Sequence, residues 1–127
     1  MAVPDSPALQ ERKRALRREL LARRAAMGEA ERAAASREIA WHVLRHLPCR
    51  ERPRISLFWS LPGELDTLPL LHAFHWLGAE PLLPRMHGRG RPLTFHRWSP
   101  GMALERGPMG VMEPPASEPA MIPGIVL

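Results

Sequence analysis

The chain has 127 residues, of which 45% are hydrophobic and 24% charged, enough apolar material for one folded domain with its own core. No apolar run approaches the roughly 18 residues that a membrane-spanning helix needs, and the N-terminus lacks the charged-then-apolar order of a signal peptide. One cysteine, Cys49, rules out an internal disulfide, so a reducing, cytoplasmic setting is expected. The net charge of +5 is unevenly spread: residues 1–54 hold 13 Lys/Arg against 7 Asp/Glu, and residues 55–127 hold 5 against 6. A basic first third suggests an anionic partner near the first helices, either nucleotide phosphates or RNA. Lys13 is the only lysine among 18 basic residues.

In chain order, Ser6-Pro7 starts a helix, serine capping and proline tolerated in the first turn. Leu9, Leu16, Leu20 and Met27 form its apolar stripe, expected to dock on a sheet, and Gly28 ends it. Lys13 and Arg17 are four residues apart and share a face, where two cations can grip neighbouring phosphate oxygens. A second helix starts near Glu29 with the stripe Ser36, Ile39, Ala40, Val43 and Leu47, and Pro48 stops it.

The central unit is Arg54-Ile-Ser-Leu-Phe-Trp-Ser-Leu-Pro-Gly-Glu-Leu-Asp-Thr67. Ile55 to Trp59 reads as a buried strand, Pro62-Gly63 as a turn, and Asp66 or Thr67 as the cap of a helix running to Leu77 and stopping at Gly78. Glu80 to Arg85 is a second strand, so strand, helix and strand make a parallel βαβ crossover. Ligands of such sheets bind beyond the carboxyl ends of the strands, which is where Trp59, Glu64 and Asp66 fall. An aromatic face beside carboxylates suits a flat, nitrogen-rich ligand. The loop after His87 reads as flexible, and Leu93 to Trp98 as a half-buried antiparallel strand. Residues 99–120, rich in Gly, Pro and Met, are expected to run over the surface. Met121 to Leu127 begins like a further buried strand.

Six histidines include the pairs His42/His46 and His72/His75, but no third ligand keeps a metal spacing, so no metal site is expected. Gly88-Arg-Gly-Arg91 lacks the ending of a phosphate-binding Walker loop.

In order and spacing, Lys13-Arg-Ala-Leu-Arg17, Ser36-Arg-Glu-Ile39, Ile55 to Thr67, Leu83-Pro-Arg85, Leu93 to Trp98, Gly107 to Pro114 and Ile122-Pro-Gly124 resemble the 5-formyltetrahydrofolate cyclo-ligase family. The resemblance runs from about residue 10 to 124. It implies an α/β fold, a three-layer α/β/α arrangement with a Rossmann-like mixed sheet, in a single domain over residues 1–127 that corresponds to the N-terminal two-thirds of the family domain. It also implies a cytoplasmic ligase that uses ATP and Mg2+ to cyclise 5-formyltetrahydrofolate to 5,10-methenyltetrahydrofolate. By the matching positions, Lys13, Arg14 and Arg17 would hold the nucleotide phosphates, Trp59 would lie against the folate, and Glu64 would bond its pterin edge. The family's Pro-Gly dipeptide leads into a segment rich in Gly and Tyr. Here only Ile125-Val-Leu127 follows, and the chain has no tyrosine, so the expected sheet is incomplete at its C-terminus, with an uncovered edge open to self-association. The competing expectation is a non-catalytic, Arg-rich module for RNA or another polyanion. The absence of aromatic platforms and of nucleic-acid motifs counts against it.

Overall fold

The computed structural model describes residues 3–47 and 52–127. Helix α1 spans Pro7–Ala26, with the Leu9 N–H donating to the Ser6 hydroxyl at 3.2 Å. Helix α2 spans Glu29–His46, strand β1 Arg54–Ser56, helix α3 Leu68–Trp76 and strand β2 Glu80–Arg85. Strand β3 covers Thr94–Arg97, and the short strands β4 (Glu105–Arg106) and β5 (Met112–Glu113) form a separate hairpin around a 3-10 turn at Pro108–Gly110. Two-residue strands β6 (Ala120–Met121) and β7 (Ile125–Val126) complete a five-stranded sheet in the order β6-β3-β2-β1-β7.

The sheet is mixed, as expected for this α/β class: β1 is parallel to β2 and β7, while β3 is antiparallel to β2 and β6. β6 and β7 are four strand spacings apart, about 19 Å on a flat sheet. The four Cα steps from Met121 to Ile125 reach about 14 Å at most. The sheet must therefore curl its two edges toward each other.

Ile55, Leu57, Leu70, Leu71, Phe74, Ala79, Leu83 and Trp98 form the core with Ala40 of α2. Adjacent residues of a strand point to opposite faces, yet Leu82 and Leu83 are both at 0% exposure, so β2 is covered on both sides. That explains why its sequence is apolar without alternation.

Several expectations give way here. No residue of α1 is buried, and Leu16 and Leu20 are 55% and 52% exposed, so the leucine stripe does not dock on the sheet. Helix-forming residues and local ion pairs support α1 instead: Glu11 holds Arg14 at 3.1 Å and Arg18 at 3.3 Å, and Glu19 holds Arg23. In α2, Ser36 and Ala40 are buried as expected, but Ile39 is 42% exposed. The expected strand through Trp59 stops at Ser56, because the chain turns away after Leu57 donates its N–H to the Leu82 carbonyl at 3.0 Å. Residues 99–120 do not simply cross the surface, since they contain the β4–β5 hairpin and the buried Glu113 and Pro114. His96, a polar position of β3, is buried, and the final apolar stretch divides into β6 and β7 with Ile122 and Val126 exposed. Pro48 and Cys49 lie outside the described residues.

Candidate active site

β1 and β2 run parallel, so Trp59, three residues past β1, and Met86 and His87, just past β2, lie at the same end of the sheet. The loop after β1 is held by hydroxyls as well as by the packing of Leu57 and Trp59 on the core. Thr67 donates its hydroxyl to the Phe58 carbonyl at 2.6 Å, and Ser60 donates to the Leu65 carbonyl. The Ser60 oxygen accepts the Thr67 N–H at 3.0 Å. Buried Ser36 of α2 accepts the Asp66 N–H at 3.0 Å, tying the loop to the helix layer. At the tip, the Glu64 N–H closes a turn onto the Leu61 carbonyl, and Gly63 takes a φ of 87° that favours glycine. The Asp66 carboxylate, not Thr67, caps α3 by accepting the Leu68 N–H at 3.0 Å.

Trp59, Ser60, Asp66, Thr67 and Leu68 line a cavity of roughly 80 Å³. That is far below the roughly 300 Å³ at which small-molecule pockets begin, so it can receive one edge of a ring system rather than enclose it. Glu64 is half-buried and does not line this cavity.

The cations stand apart from it. Lys13 and Arg17 share one exposed face of α1, as their spacing requires, together with Leu16, Leu20, Leu21 and Arg24 of the same helix. Lys13 pairs with Asp5, and Arg14 with Glu11 at 3.1 Å. Arg17 makes no ion pair among the described residues. The structure therefore brings Lys13 and Arg17 together, and it does not join them to Trp59 in one cavity. Among the described residues, no group of three or more His, Cys, Asp or Glu side chains is placed to hold a metal ion.

Two clusters at the same end of the sheet escaped the sequence. Glu113 is 3% exposed and accepts the Met86 N–H at 2.7 Å, while Arg85 reaches Glu105 at 3.0 Å and the Pro114 carbonyl. Together these bonds fasten the β4–β5 hairpin to the end of β2. The second cluster is a chain of short contacts from His87 through Thr94 to His96. Only the Glu-Pro-Pro run marks the first, and nothing in the spacing marks the second.

The fold is similar to that of an enzyme of known structure. The NMR structure of Aquifex aeolicus 5,10-methenyltetrahydrofolate synthetase superposes with a TM-score of 0.73 at 25% identity, over 90% of this chain. The chain spans 58% of the length of that protein. A sequence model of the 5-formyltetrahydrofolate cyclo-ligase family matches residues 9–123, and the chain belongs to that family. No curated protein sequence matches it.

Proposed function

We propose that this chain binds 5-formyltetrahydrofolate and takes part in its ATP-dependent cyclisation to 5,10-methenyltetrahydrofolate, with ADP and phosphate released. Supporting this is a family match that runs from within α1 through the loop after β1 to the end of β6. It includes every residue proposed for the site. In this reading residues 1–127 act as a single domain in the cytoplasm.

The chemical need sets the roles. An amide-like formyl oxygen is a poor leaving group until it carries a phosphoryl group. ATP supplies that group, after which the neighbouring amine nitrogen attacks the formyl carbon and phosphate departs. Phosphoryl transfer of this kind is carried mainly by positioning and charge neutralisation. Lys13 and Arg17, on one face of α1, hold the nucleotide phosphates, and Arg14 supports them from the next position. Mg2+ would enter with ATP as part of the substrate, where it would offset phosphate charge beside Lys13 and Arg17. Trp59 lies against the folate at the mouth of its small cavity, and Glu64 accepts hydrogen bonds from the pterin edge.

The test is thermal unfolding of the purified chain alone, with 5-formyltetrahydrofolate, and then with Mg-ATP added, alongside absorbance of the methenyl product. A ligand that binds only the folded state raises the midpoint by linkage. A folate-dependent rise that Trp59→Ala abolishes, and a further ATP-dependent rise that Lys13→Ala abolishes, are expected. A midpoint indifferent to both ligands, with no product formed, refutes the proposal.

A further inference from the structure

We propose that His87 is the proton acceptor for ring closure, held as one tautomer by a directed chain of hydrogen bonds through Thr94 and His96. This rests on the cyclo-ligase reading above and assigns that site a group it otherwise lacks.

The chain begins in the interior. His96 is 6% exposed, and its Nδ1 lies 2.7 Å from the Glu118 carbonyl oxygen. A carbonyl oxygen can only accept, so Nδ1 carries the proton. In this proposal the His96 ring is neutral, and a neutral imidazole that donates at one nitrogen accepts at the other, so its Nε2 takes the Thr94 hydroxyl proton across 2.8 Å. With its only proton committed inward, the Thr94 oxygen can only accept from the third partner. That partner is Nε2 of His87, 2.6 Å away, which therefore carries the proton of that ring. Nδ1 of His87 is left with a free lone pair on an exposed side chain.

Thr94 is the first residue of β3 and pairs with Arg85, the last of β2, so the chain rises from the sheet interior to the end where Trp59 also lies. Ring closure needs an acceptor at that end. As the amine nitrogen's lone pair forms the new C–N bond, its N–H proton passes to Nδ1 of His87. The C–O bond of the phosphorylated formyl group then breaks, and its electron pair leaves with phosphate. Thr94 and His96 are positioning residues in this scheme, because they act only through the tautomer of His87.

The first readout is independent of turnover: nitrogen-15 NMR of histidine-labelled chain reports which ring nitrogen carries the proton. The expected pattern is Nε2-protonated His87 beside Nδ1-protonated His96. Thr94→Val should erase the preference at His87, and Thr94→Ser, which keeps the hydroxyl, should restore it. The second readout is turnover. His87→Ala should lower kcat on the order of 10²-fold, the low end for losing a general base, with the KM for folate little changed. A His87 protonated at Nδ1, or a preference that survives Thr94→Val, overturns the chain. Wild-type turnover matched by His87→Ala overturns the base role alone. A wild-type chain that binds neither ligand and forms no product overturns the cyclo-ligase reading and the base role with it, leaving the tautomer result to stand or fall on its own spectrum.

Discussion

Gly107→Ala should cost this small protein a large part of its stability, although nothing about the local backbone demands glycine. The φ at Gly107 is −90°, open to any residue. The obstacle is Glu113: a Cβ at position 107 would lie 2.3 Å from its Cδ, 2.6 Å from Oε1 and 2.7 Å from Cγ. Glu113 cannot easily withdraw, because it is 3% exposed and its other oxygen holds the Met86 N–H at 2.7 Å. Overpacking of this kind costs about 1–3 kcal/mol. If the carboxylate moves instead, the half-buried Met86 N–H loses its partner at a similar cost of about 1–3 kcal/mol. Because the structure takes whichever course costs less, a net loss of about 1–3 kcal/mol is expected, a substantial share of the roughly 5–15 kcal/mol that holds a domain together. In a chain of this size it should lower the unfolding midpoint on the order of 10 °C. The measurement is thermal and urea unfolding of Gly107→Ala, Glu113→Ala and the double variant. Because the clash needs both residues, Gly107→Ala should cost little in the Glu113→Ala background. A single variant as stable as wild type, or an equal penalty in both backgrounds, refutes the argument.

Three further substitutions test other parts of the structure in the same unfolding assay. Phe74→Ala, at 0% exposure in the last turn of α3, should cost about 3–5 kcal/mol, and a loss under 1 would mean that α3 is not seated as described. Ser36→Ala leaves the Asp66 N–H without its 3.0 Å partner and should cost about 1–3 kcal/mol; an unchanged midpoint would show that the loop is not tied to α2 by this bond. Leu20→Glu, by contrast, should change stability by no more than about 0.5 kcal/mol because the side chain is 52% exposed, and a large loss would show that the leucine stripe of α1 is covered after all.

The parts of this fold legible in the sequence are those whose cause is local. The turn at Pro62-Gly63 follows from a residue that fixes φ and one that tolerates a φ of 87°. The end of α3 at Gly78, also at 87°, has the same kind of cause. The parallel pairing of β1 and β2 follows from apolar strands separated by a helix that returns the chain. What failed was inference about partners distant in sequence. The period of Leu9, Leu16 and Leu20 names one side of α1 but says nothing of what covers it, and among the described residues of α1 nothing is buried. His96 reads as an outward polar position in an alternating strand, yet it is buried because two neighbours, Thr94 and the Glu118 carbonyl, satisfy both ring nitrogens. Glu113 can be buried for the same reason, with the Met86 N–H as its donor 27 residues away. Composition assigned that whole segment to the surface.

The same distinction bears on the candidate site. Lys13 and Arg17 share a face because four residues make about one helical turn, a fact the sequence contains. Whether they meet Trp59 depends on how α1 stands against the sheet, which no local pattern encodes. In the structure the cations stand on the exposed face of α1 and Trp59 at a small cavity elsewhere, so a ligand engaging both must bridge them or draw α1 inward. A folate linked through its formyl oxygen to the phosphates of ATP has that extended, two-ended shape. The two ligands should therefore bind cooperatively, each raising the other's affinity by the same factor, as linkage requires. Calorimetric titration of folate with and without Mg-ATP checks this, and equal affinities in the two titrations would mean that the two places act separately.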